Sequence, residues 1–181
     1  MLLKTSRVKL FSVLGALAFA AVAQAEDPVT PAIPGVSAGG VIIETIKEGF
    51  KGTEGPIAYS DGSLLFTETN ENRIVRIAPD NTVSTFLEGS NGANGLALNA
   101  AGEIIAVQTL KPQVGIIYPA DKKKTFTENF EGVAFQRPND VVLHKSGGIY
   151  FTDSGTRPTK EIPNPPPPPT PACFTLPRQA N

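Results

Sequence analysis

The chain has 181 residues, 16 Lys and Arg against 17 Asp and Glu, a formal charge of −1, and 40% hydrophobic residues. That balance fits a globular chain with an ordinary core and lacks the basic face that nucleic acid or an anionic membrane requires. One Cys and one His exclude an internal disulfide and leave no histidines for a zinc site or a Ser-His-Asp triad.

Residues 1–25 read as a secretory signal peptide. Lys4, Arg7 and Lys9 precede an apolar run from Leu10 to Ala23, and Ala23-Gln24-Ala25 is an A-x-A cleavage site. The run is short for a membrane anchor, so the expected protein is exported, periplasmic or secreted, with no stable membrane span after cleavage near Glu26. Losing those three cations leaves 13 basic and 17 acidic residues, a formal charge of −4, and strengthens the case against nucleic acid as a partner.

Residues 26–40, with Pro28, Pro31, Pro34 and Gly39-Gly40, form an irregular lead-in. From Val41 the chain alternates short, β-branched apolar runs with Gly, Asn, Asp and Pro and shows no helical period, which is the pattern of an all-β fold. Expected strands are 57–60, 63–69, 73–78 and 83–87, then 95–99, 103–110, 114–118 and 124–130, then 141–145 and 148–152. Lys122-Lys123-Lys124 falls in a hairpin and reads as a solvated turn. His144 falls in a strand.

A phrase recurs: Glu54-Gly-Pro-Ile-Ala-Tyr-Ser-Asp-Gly-Ser-Leu-Leu-Phe-Thr-Glu, a copy starting at Asn94, and a third starting at Asn139, 40 and 45 residues apart. Four strands per repeat of that length is one blade of a β-propeller, and radial repetition brings equivalent positions to one axis. Glu54, Asn94 and Asn139 then share an end of that axis and all offer oxygen to a hard cation. Read from the residues alone, Glu54 also fits a strand entry, Asn94 and Asn139 fit ordinary turn formers, and Arg137 fits the surface as well as a substrate contact. Asp61, Asp80, Asp121 and Asp153 fit turns and strand ends.

The third repeat is interrupted by Pro165 to Pro169, five prolines in a row. They cannot donate to a ladder and read as an exposed loop, with 172–176 as the strand that follows; a polyproline partner motif is the other reading. The blades number about three, which leads us to expect the N-terminal part of a longer ring, since closure removes exposed edges.

Glu54-Gly55-Pro56, Asn94-Gly95-Leu96-Ala97-Leu98, Arg137-Pro138-Asn139-Asp140-Val141-Val142 and Gly148-Ile149-Tyr150-Phe151-Thr152-Asp153 together resemble the SMP-30/gluconolactonase/LRE-like family over residues 41–155. The resemblance implies a six-bladed propeller with a divalent metal, usually Ca2+, in its central channel and a lactone or ester as small-molecule substrate. It implies metal binding by Glu54 and Asn139 and substrate contact by Arg137. Asn94 sits one blade earlier than the family's similar phrase, so it is expected to line the channel beside the substrate. The family's metal-binding aspartate, its general base, is expected beyond residue 181, as is its later asparagine. The implied activity is a metal-dependent hydrolase of the lactonase type, in a chain holding part of the metal shell. A non-catalytic propeller module and an inactive truncated remnant are the alternatives.

Overall fold

The computed structural model describes residues 28–167 and 173–177. The expected signal peptide and the end of the proline run lie outside the described residues. The chain divides into two compact units, 1–45 and 46–181. In the first, Val29 bridges Ile42 and Ile33 bridges Ser37. No helix among the described residues is long and apolar enough to cross a membrane.

The second unit is built from strands. β1 (Thr53–Ala58), β2 (Leu64–Glu68), β3 (Arg73–Ile77) and β4 (Val83–Glu88) form one antiparallel meander; β5 (Ala93–Leu98), β6 (Ile104–Gln108), β7 (Gln113–Tyr118) and β8 (Lys124–Thr127) form the next. β9 (Asn129–Phe130) and β10 (Val133–Ala134) make a separate small hairpin, and β11 (Pro138–Leu143), β12 (Ile149–Asp153) and β13 (Cys173–Leu176) make a three-stranded sheet. The all-β expectation holds, and the proline segment joins two neighbouring strands of the third sheet.

The first turn of each sheet is built alike. The amides of Gly62, Gly102 and Gly147 bond back to Tyr59, Asn99 and His144, and all three glycines have φ between 78° and 87°. That left-handed backbone is open to Gly at no steric cost, which is why the turn glycines mark the repeat so plainly in the sequence.

The sheets stack, with β1 alongside β5 and β5 alongside β11. Leu65 and Ile74 of the first sheet meet Ala93, Leu96, Ile104, Ala106 and Ile117 of the second. Val107 and Val114 of the second meet Val141, Ile149, Phe151 and Phe174 of the third, with Phe135 between them. Leu65, Ile74, Ile104 and Val107 have no exposed surface, and burial of each such side chain contributes about 1.5–3 kcal/mol.

Three expectations need correction. The first strand of each sheet begins earlier than the apolar run, at Thr53, Ala93 and Pro138, so the polar heads lie within the strand and not ahead of it. Residues 124–130 are two elements, because Thr127 Oγ1 donates to the Asn129 carbonyl at 2.7 Å and turns the chain. His144 follows β11 and is not in a strand; its Nδ1 lies 2.7 Å from Ser146 Oγ in the turn.

Candidate functional site

Thr53 pairs with Glu68, Ala93 with Gln108, and Pro138 with Asp153. These are the same rung of three sheets. Glu54, Asn94 and Asn139 are the next residues in each, so the repeated heads do occupy equivalent positions. The register shifts by one at or just past the head, between Glu54 and Ile57, between Ala93 and Leu96, and between Pro138 and Val141, with one extra residue on the first strand each time. A bulge of this kind bends the strand and re-aims its side chains.

Consecutive inner strands also approach one another at this level. A Cβ on Gly55 would lie 2.4 Å from the Asn94 carbonyl oxygen. A Cβ on Gly95, at the equivalent position one sheet on, would lie 2.7 Å from Asp140 Cα. Thr67, which pairs with Glu54, donates its hydroxyl to the Asn94 carbonyl at 2.9 Å, and Thr69 donates to the Ala93 carbonyl at 3.0 Å. The structure therefore brings the Glu54 level of β1 against Asn94, and Asn94-Gly95 against Asn139-Asp140.

Polar residues at this end fall into two sets. Glu68, Gln108 and Asp153 end the second strand of each sheet, are 2%, 1% and 1% exposed, and each accepts two or more hydrogen bonds. Glu68 accepts the Lys51 amide at 2.7 Å and Arg73 Nε and Nη2 at 2.8 and 2.6 Å. Gln108 accepts from Asn91 Nδ2 and Gln113 Nε2, both at 3.0 Å. Asp153 accepts the amides of Gln136, Arg137 and Gly155 at 2.8, 2.8 and 2.9 Å. Lys51, Asn91 and Gln136 each stand two residues ahead of an inner strand, so these three buried groups clamp the chain as it enters β1, β5 and β11. Burial raises the Glu68 pKa, but Arg73 and the Lys51 amide outweigh it and hold the carboxyl below its ordinary value.

The four residues expected to serve the site form the second set. Glu54 is exposed, Arg137 and Asn139 are half-buried, and Asn94 is buried. Arg137 uses its backbone to receive Ser154 and bond Asp153. Beyond such backbone contacts, the side chains of Glu54, Asn94, Arg137 and Asn139 make no hydrogen bond or ion pair with a described residue. Glu54 also lines a shallow cavity of about 330 Å3 with Thr53, Pro56, Leu64 and Phe66. Asp140 is committed locally, its Oδ1 accepting the Val141 amide at 2.8 Å.

A hard divalent cation takes six to eight oxygens, charged or neutral. Glu54, Asn94 and Asn139 are oxygen donors whose side chains have no partner among the described residues and fit such an ion in kind, but one carboxylate and two amides are fewer than it needs. Among the described residues no group of three or more His, Cys, Asp or Glu gathers to hold a metal. Sequence reasoning found these residues and missed the clamp, although the signal was present: the aligned phrases all end on a polar residue, Glu68, Gln108 or Asp153.

Residues 52–164 match the model of the SMP-30/Gluconolactonase/LRE-like region. The chain belongs to this family. Among solved structures it is similar to a gluconolactonase of Xanthomonas campestris described as important in glucose secondary metabolic pathways, with 22% identity, a TM-score of 0.61, and coverage of 74% of this chain and 46% of that one. It is also similar to a structural-genomics target assigned as a gluconolactonase, with 24% identity, a TM-score of 0.57, and coverage of 73% and 47%. The chain thus spans a little under half the length of these two relatives. No curated protein matches it. As a family member, it carries its three sheets as blades of a β-propeller.

Proposed function

We propose that this chain supplies the first part of the metal and substrate site of a lactonase-type hydrolase, working on a lactone or ester in an exported, periplasmic or secreted setting. The observation that supports the reading is that Glu54, Asn94 and Asn139 stand one residue past the same rung of three adjoining first strands, with side chains that have no partner among the described residues, while the buried Glu68, Gln108 and Asp153 beside them are hydrogen-bonded. Family membership supports the reaction class.

Glu54 would give the negative charge that retains Ca2+ or another divalent cation, and Asn139 a neutral oxygen, with water completing the shell. Asn94 would line the wall beside it. A bound cation polarises the ester carbonyl and stabilises the oxyanion formed on hydrolysis. The planar fork of Arg137 suits a substrate hydroxyl or carboxylate. None of the described residues is assigned as general base.

Calcium titration by calorimetry, followed by lactone hydrolysis with and without chelator, tests the reading. The chain should bind Ca2+ weakly, and Glu54→Gln should weaken binding by about tenfold or more because ligand charge sets affinity at such sites. Binding that is unaffected by Glu54→Gln removes Glu54 from the site. Tight stoichiometric binding by the unmodified chain contradicts the partial-shell reading.

A further inference from the structure

At the opposite end of the sheets from Glu54, the seam between the second and third sheets opens into a cavity of about 660 Å3, within the range of small-molecule sites. The neighbouring seam shows why it is there. Between the first and second sheets the same end is plugged by three rings: Tyr59 and Phe86 with centroids 5.4 Å apart, and Phe86 and Tyr118 at 4.8 Å. One sheet on, the turn position of Tyr59 belongs to Asn99. The Tyr118 position, opposite Ile104, belongs to Leu176, opposite Ile149. Phe126 keeps the place of Phe86 at the equivalent register shift. Among the described residues two of the three rings are missing here, and the apolar interior is reached from that end.

The floor is apolar, with Ile105 and Ile149 at 3% and 2% exposure and Ile116, Phe126 and Leu143 partly buried around them. The rim carries Lys122, Lys124 and Lys145. None of the three is in an ion pair among the described residues, and the Lys124 ammonium sits 5.9 Å from the Phe126 ring centroid. The one carboxylate on the rim, Glu103, accepts a hydrogen bond from Asn99 Nδ2 at 2.8 Å. Apolar depth under surplus positive charge is complementary to an amphipathic anion.

We propose that this wedge binds a medium-chain aliphatic carboxylate, its chain along Ile105, Ile116 and Ile149 and its head among the lysines. The cavity is separate from the Glu54 end, so the proposal stands or falls independently of the hydrolase reading.

Calorimetry with octanoate and decanoate, below their micellar concentrations, tests it. Saturable 1:1 binding is expected, tightening about fourfold per added methylene, weakening with salt, and weaker for 1-octanol than for octanoate. Lys124→Gln with Lys145→Gln should weaken octanoate and leave 1-octanol unchanged. Asn99→Tyr restores the missing ring and should abolish binding. Leu143→Phe fills the same space and decides the matter if Asn99→Tyr fails to fold. Isoleucine methyl NMR of the unmodified chain should shift Ile105, Ile116 and Ile149 on adding decanoate. Absence of saturable decanoate binding, equal affinity for 1-octanol and octanoate, or unchanged binding in the filled variant overturns the proposal.

Discussion

The sharpest structural prediction concerns Gly95. Its φ lies outside the left-handed range, so alanine there carries no backbone strain, yet a methyl would meet Asp140 Cα and Oδ1 at 2.7 Å and the Val141 amide nitrogen at 2.9 Å. Ordinary contact begins near 3.4 Å, so β5 and β11 must separate by about 0.7 Å in an interior that is close-packed. Overpacking costs about 1–3 kcal/mol. The upper end applies because two of the three atoms met are backbone in a paired strand and cannot swing aside. A loss of about 3 kcal/mol lowers Tm by about 6–12 °C for a domain of this size. Gly148→Ala is the control, since its methyl would touch nothing closer than the Leu176 carbonyl oxygen at 3.5 Å, and a change within about 0.5 kcal/mol is expected. Thermal melts of the three proteins by circular dichroism read the difference. Equal melting of Gly95→Ala and Gly148→Ala would refute the close approach of β5 and β11 at the head level, and with it the adjacency of Asn94-Gly95 and Asn139-Asp140.

Glu68→Ala strands the Lys51 amide and Arg73 and should cost about 2–3 kcal/mol, below the figure for a fully buried pair because Arg73 is a third exposed; a urea midpoint measures it, and a change under 0.5 kcal/mol would mean that the clamp does not hold β1 in place. Asp61 is held at about 2 by Ser63 and then by Arg76, and Glu68 is also lowered. Both therefore stabilise the fold above the unfolded carboxylate pKa near 4, and that contribution is lost as pH falls from about 4 toward 2. Urea midpoints at pH 7, 4 and 3 should drop in that window, with a shallower drop for Asp61→Asn; an identical profile for Asp61→Asn removes Asp61 from the acid response. The loss of calcium affinity in Glu54→Gln is the functional counterpart.

Much of this architecture was written in the turns. Gly62, Gly102 and Gly147 need a left-handed backbone at one position of each repeat, and that local demand made the period and most strand limits legible. The heads were legible as a set because the spacing from head to turn is the same in all three copies. Their place within the strand was not, because a bulge adds a residue without changing the alternation that follows it, and alternation is what the eye reads. The Glu68, Gln108 and Asp153 clamp went unseen for a different reason. Its members differ chemically, and each is satisfied by a different donor set, so their common place at the end of the repeated phrase does not by itself reveal a common role. The cavity between the second and third sheets depends on rings missing at Asn99 and Leu176, and an absence of that kind shows only when one seam is laid beside another.

The extra residue on each inner strand separates two kinds of position. Past it, side chains are held by the packing of one sheet against the next, as at Leu96 and Val141. At the head the first sheet carries a carboxylate, Glu54, and the next two carry amides, Asn94 and Asn139, over apolar packing of the same kind. A bulge therefore lets the chemistry of the strand's entry vary from sheet to sheet while the alternation behind it stays in phase.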